Sequence, residues 1–170
     1  MKILALDSSG LVASVAVVEN DTLLAEYTVN YKKTHSQTLL PMLDEISNMT
    51  ELDLSTIDAI AVAGGPGSFT GLRIGSATAK GLGLALEKPL ISIPTTAAIA
   101  YNIWDTNKFV CPIMDARRNQ VYTGVYCYTD HRLDTVWEQD TMSIEVLAEG
   151  LNCLDHEVIF LGDGVAVYRE

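Results

Sequence analysis

The sequence predicts a mixed α/β protein built from two related lobes, and three observations carry that reading. A strand–strand–strand–helix–strand–glycine-turn plan occurs twice along the chain. Each repeat opens on an apolar run that ends in an aspartate, Asp7 in the first and Asp115 in the second. Each also holds a short continuous apolar segment, residues 57–63 and 157–161, of the kind that forms a buried parallel strand. Two such units point to two lobes with mixed sheets rather than one doubly wound domain. The expected division is 1–104 and 105–170.

In the first repeat, residues 2–7 read as a strand and Ser8-Ser9-Gly10 as a turn. Residues 12–18 alternate as a second strand, and Glu19-Asn20-Asp21 leads into a third at 22–29. Leu39, Leu40, Leu43 and Ile46 recur at helical spacing after Ser36 or Thr38 as cap. Pro41 is tolerated only in a first turn, which favours Thr38 as cap or else implies a kink. After strand 57–63, Gly64-Gly65-Pro66-Gly67 turns the chain into a helix over Phe69–Leu86, then come a strand at 89–93 and a helix at 95–104. The second repeat offers strands at 110–115, 120–128 and 133–138, a helix capped by Ser143 that runs to Leu151, and a strand at 157–161. Its Gly162-Asp163-Gly164 turn should open a helix where the chain stops, so the second lobe is expected to be truncated. By comparison with the first repeat, roughly 40–60 residues are missing.

Hydrophobic residues make up 48% of the 170 and charged ones 19%, which excludes intrinsic disorder. The formal net charge of −11 excludes a chain that grips phosphate backbones by itself, because such binding needs Lys and Arg to displace counterions. Residues 1–100 contribute −4 and residues 101–170 contribute −7. The alternatives are a solvated acidic surface or a specific basic partner. Asp7 ends the first apolar run too early for a signal peptide, and no apolar stretch reaches membrane-spanning length. Three cysteines without a CxxC pair suit free thiols in a cytoplasmic setting, and three scattered histidines offer no zinc spacing. Hence no metal and no membrane are expected.

The segment GGPGSFTGLRIG, residues 64–75, is the most informative stretch. It lacks the lysine and spacing of a Walker loop and misses GxGxxG by one place, at Thr70. Its glycines before a helix serve either a phosphate cradle or a plain tight turn. Within that helix Gly71, Gly75, Ala79 and Gly83 form a stripe of small residues. Each helical glycine costs about 1 kcal/mol against alanine. Close approach of a second backbone offsets that cost, either the lobe's own sheet or a helix of another subunit. Asp7, with Ser8, Ser9 and Gly10, and Asp115 sit at strand ends, where a carboxylate either holds a metal–phosphate or caps its own turn. No Ser/His/Asp or Cys/His nucleophile arrangement can be assembled, so no catalytic residue is assigned.

Four segments together resemble one family: LALDSS at the start, His35-Ser36-Gln37 leading into LLPML, the glycine stretch, and Met114-Asp-Ala-Arg-Arg-Asn-Gln-Val-Tyr122. They are similar to the TsaB (YeaZ) family, paralogous to TsaD, and the resemblance covers essentially the whole chain. It implies two RNase H-like lobes of the actin/sugar-kinase/Hsp70 (ASKHA) type. It also implies a role in making threonylcarbamoyladenosine in transfer RNA, as a non-catalytic partner of a TsaD-type paralogue, joined by a TsaE-type ATPase. The catalytic paralogue carries a metal-binding HxxxH on its corresponding helix, whereas His35 here is followed four residues later by Leu39. ATP or ADP is then expected only within the complex, with Asp7, Ser8, Ser9, Gly10 and Asp115 as a vestigial nucleotide site. The expected partner surface comprises Leu39, Leu40, Leu43 and Ile46 with Gly71, Gly75, Ala79 and Gly83, and it predicts a homodimer when the chain is alone. The competing readings are an ATP-using enzyme of the same fold acting alone, and a regulator of a different protein.

Overall fold

The computed structural model describes residues 1–30 and 37–169. Two compact units emerge, Met1–Ile93 and Pro94–Glu170. In the first, β1 (Lys2–Asp7), β2 (Ala13–Glu19) and β3 (Thr22–Val29) make an antiparallel meander. Helix α1 (Leu39–Thr50) follows, then β4 (Ala59–Gly65), α2 (Phe69–Leu86) and β5 (Leu90–Pro94). The sheet order is β3-β2-β1-β4-β5, with β4 parallel to β1.

Alternation decides which side of the meander is core. Ala13, Val15 and Val17 of β2 and Leu4 and Leu6 of β1 are buried together. Over them lie Leu39, Met42, Leu43 and Ile46 of α1, and Ala79 of α2 joins the same cluster. The expected spacing of α1 is therefore a core stripe. Pro41 lies in the first turn, where its missing N–H has no intrahelical acceptor to serve, and Thr38 takes the cap position. His35 and Ser36 lie outside the described residues. Helix α2 spans the expected 69–86: Ser68 Oγ accepts the Gly71 N–H at 3.3 Å, and Glu87 turns left-handed at its end.

The second unit comprises α3 (Thr95–Ala100), β6 (Phe109–Arg117), β7 (Gln120–Thr129), β8 (Arg132–Ser143), α4 (Ile144–Asn152), β9 (Val158–Leu161) and α5 (Gly164–Val167). Its sheet order is β8-β7-β6-β9, again with the first strand of the meander parallel to the strand after the helix. The repeat is thus a repeat of topology, and both lobes follow the RNase H-like plan of an antiparallel meander whose first strand pairs in parallel with the strand after the helix. The first sheet has five strands and the second four. Asp130 and His131, both at positive φ, make the tight turn between β7 and β8. Ser143 caps α4 through the Val146 N–H. Burial pushes the Cys111 thiol, in the core of this unit, up to about 11.

Four details differ from the sequence reading. The helix expected over 95–104 stops at Ala100, and Asn102 Nδ2 donates to the Ile99 carbonyl at 2.9 Å in the turn beyond it. Strand β8 continues to Ser143, and a short 3-10 turn at Leu54–Thr56 forms where the Asp53 carboxylate accepts the Ser55 N–H. The compact units also divide before α3 rather than after residue 104. Thr96 Oγ1 lies 2.7 Å from the Tyr126 hydroxyl and donates to Gln139 Oε1 at 3.0 Å, and Ala100 packs on Val110, so α3 is held by the second sheet. No helix among the described residues is long and apolar enough to cross a membrane.

Candidate functional site

Asp7 ends β1, and its Oδ1 accepts the Ser9 N–H at 2.8 Å, closing an Asx turn. Buried Ser8 and Ser9 then run directly beneath the glycine loop. The Ser8 hydroxyl donates to the Gly71 carbonyl at 2.9 Å, and the Ser68 N–H donates to the Ser9 carbonyl at 2.6 Å. A Cβ on Gly67, whose φ is +156°, would strike that same Ser9 oxygen, so glycine is required there by both space and backbone. A Cβ on Gly75 would lie 2.5 Å from Ser8 Oγ. Of the two readings of the glycine stretch, the close turn is the one this geometry builds: the motif clasps the Asp7 loop.

Asp115 repeats the device in the second unit. Its Oδ1 accepts the Arg117 N–H at 2.8 Å, while its own N–H donates to Asp163 Oδ1 at 3.2 Å. The Tyr168 hydroxyl also donates to Asp115 Oδ1, at 3.2 Å, and desolvation together with that carboxylate raises the Tyr168 phenol above its ordinary range. Both aspartates therefore cap their turns. In the first unit the polar groups that a phosphate would use, Ser8 Oγ, Ser9 N–H and Ser68 N–H, are bonded within the chain.

The expected partner surface requires correction. Leu39, Leu43 and Ile46 are buried in the core, as are Gly71, Gly75, Ala79 and Gly83 along α2. Gly75 faces Ser8 and Val62, and Gly83 faces Leu90 and the Lys88 carbonyl, all within the first unit. The stripe serves close packing on the unit's own sheet, and of the eight residues Leu40 alone is exposed, at 53%. The opposite side of α2 is the open one. Phe69 is 69% and Leu84 84% exposed, the Arg73 guanidinium lies 3.7 Å over the Phe69 ring, and a Cβ on Gly81 would meet nothing within 4 Å. Residues two apart on a helix lie about 200° around its axis, so a stripe at 71, 75, 79 and 83 leaves 69, 73, 77 and 81 outward. That complementary register is the signal the sequence reading overlooked.

Known proteins resemble the chain over its whole length. A family model described as TsaD, tRNA N6-adenosine threonylcarbamoyltransferase, matches residues 22–170. The tRNA threonylcarbamoyladenosine biosynthesis protein TsaB of Bacillus subtilis (strain 168) is 35% identical over 170 residues, covering 100% of this chain and 74% of that protein. This chain belongs to the TsaB (YeaZ) family. The TsaB of Escherichia coli (strain K12) is 33% identical, covering 96% of this chain and 72% of its own length. The solved structure of YeaZ from Pseudomonas aeruginosa superimposes with a TM-score of 0.76 at 31% identity, covering 85% of this chain and 68% of that one. Membership in the TsaB family ties the chain to proteins of tRNA threonylcarbamoyladenosine biosynthesis.

Proposed function

We propose that this chain is a non-catalytic, cytoplasmic subunit of the machinery that places threonylcarbamoyl on adenosine of transfer RNA, where it docks and orders a TsaD-type catalytic paralogue. The observation that carries the reading is the large apolar side chains left open on these helices: Leu40 on α1, and Phe69 and Leu84 near the two ends of α2, where Gly81, about one turn before Leu84, meets nothing among the described residues. Large apolar side chains left open on packed helices are the usual mark of a protein interface. The surface first read from the sequence thus moves to the other side of the same helices. Without the paralogue, the same side pairs two copies of this chain, and a TsaE-type ATPase joins the assembled pair.

Two features support a subunit without chemistry of its own. Leu39, which stands where the paralogue carries its second metal ligand, is a core residue. The polar groups of the Asp7 loop are spent on the fold, so any ATP or ADP is held by the complex. The net charge of −11 leaves the grip on RNA to another subunit. The decisive experiment measures threonylcarbamoyl transfer to tRNA by the paralogue from the same organism, with and without this chain. The expected result is no transfer by this chain alone and transfer by the paralogue that depends on its presence. Transfer by this chain alone, or undiminished transfer in its absence, overturns the proposal.

A further inference from the structure

A second surface lies on the other unit. Tyr101 and Trp104 stand on the turn that follows α3, 54% and 61% exposed. Both meet the Tyr128 ring of β7 edge to face, with centroids 6.5 Å and 5.4 Å away. Three aromatic rings thus share one surface position on a chain with only 7% aromatic residues. The edge-to-face packing on Tyr128 leaves Trp104 and Tyr101 each more than half exposed. The Tyr128 hydroxyl is sequestered and finds no hydrogen-bond partner among the described residues.

The charge beside these rings is negative. Asp105 follows Trp104 directly, and its Oδ2 is held 2.6 Å from His131 Nδ1 at the β7–β8 turn. Burial first, then Tyr101 and Asp105, raise the Tyr128 phenol above its ordinary range. Apart from His131, the nearby basic side chains are directed elsewhere. Lys108 pairs with Glu157 at 3.2 Å. Arg132 pairs across the ribbon with Thr129, one residue out of phase with the Tyr128–Leu133 pair, and so falls on the opposite face. Residues 101–170 carry a net charge of −7, which repels a phosphate backbone and attracts a basic chain.

We propose that Trp104, Tyr101 and Asp105 form a docking patch for an arginine-bearing segment of a basic protein partner. A guanidinium stacks on the indole or phenol face while its fork meets the carboxylate, a combination that suits arginine better than lysine. The patch is built from residues of the second unit and the α1–α2 surface from residues of the first, so variants of one leave the other's residues unchanged and the two failures are distinguishable. The test follows the Trp104 indole N–H by NMR while the intact chain is titrated with an acetylated tri-arginine peptide. A saturable shift at Trp104, absent at Trp137, is expected. Trp104→Ala should weaken binding about fivefold, whereas Trp104→Phe, which keeps a ring, should retain most of it. Asp105→Asn should weaken it about threefold, and added salt should do the same. The proposal is overturned if Trp104 does not respond, if the Trp104→Ala and Asp105→Asn variants bind as well as wild type, or if a tri-glutamate peptide or oligouridylate binds the patch more tightly.

Discussion

The two sides of α2 carry glycines for different reasons. Gly75 meets Ser8 Oγ and Val62, and any larger residue would displace the loop that Asp7 begins. Gly81, one and a half turns further along, meets nothing within 4 Å, so the monomer gains no packing from it. A glycine in a helix costs about 1 kcal/mol against alanine wherever it stands. On the inner side that cost is offset by close packing against the sheet. On the outer side nothing among the described residues packs against it, and Leu84, three residues on, is open. Small residues alone do not locate an interface; what a Cβ would touch does.

The comparison can be broken by substitution. The largest expected effect is for Gly75→Leu, where overpacking against Ser8 and Val62 should cost about 3 kcal/mol and lower the Tm by roughly 6–12 °C in a thermal scan. A stable Gly75→Leu variant would contradict the inner assignment. Next comes Ser8→Ala, which removes the side-chain donor to the Gly71 carbonyl and should cost about 1 kcal/mol by chemical denaturation. Last is Gly81→Ala. With open space around it, that change should stabilise the isolated chain by about 1 kcal/mol, a rise of roughly 2–4 °C.

What the sequence made legible was mostly local or periodic. The start of α2 was readable because the Gly64-Gly65-Pro66-Gly67 turn precedes it, and Ser143 announced α4 as its cap. The doubled topology was readable because each repeat keeps its order of strands and its aspartate before the turn. The direction of the glycine stripe was not, because a small residue fits any close approach and the atoms that fill the notch belong to the distant Ser8 loop. The grouping of Tyr101 and Trp104 with Tyr128 was hidden for the same reason: β7 is brought to the turn after α3 by sheet pairing, which no local pattern records. The early end of α3 also escaped, since the apolar residues beyond Ala100 continue a helical spacing without continuing the helix.

The central claim is that the outward side of α1 and α2 binds the catalytic paralogue. It is tested most directly by measuring that affinity calorimetrically for the wild-type chain and for Leu84→Asp, with the thermal midpoint of each recorded alongside. Leu84 is 84% exposed, so the substitution should leave the fold's stability within about 0.5 kcal/mol. The account predicts that binding falls about thirtyfold or more, the loss expected at an interface hot spot. Unchanged affinity in a variant of unchanged stability would contradict it.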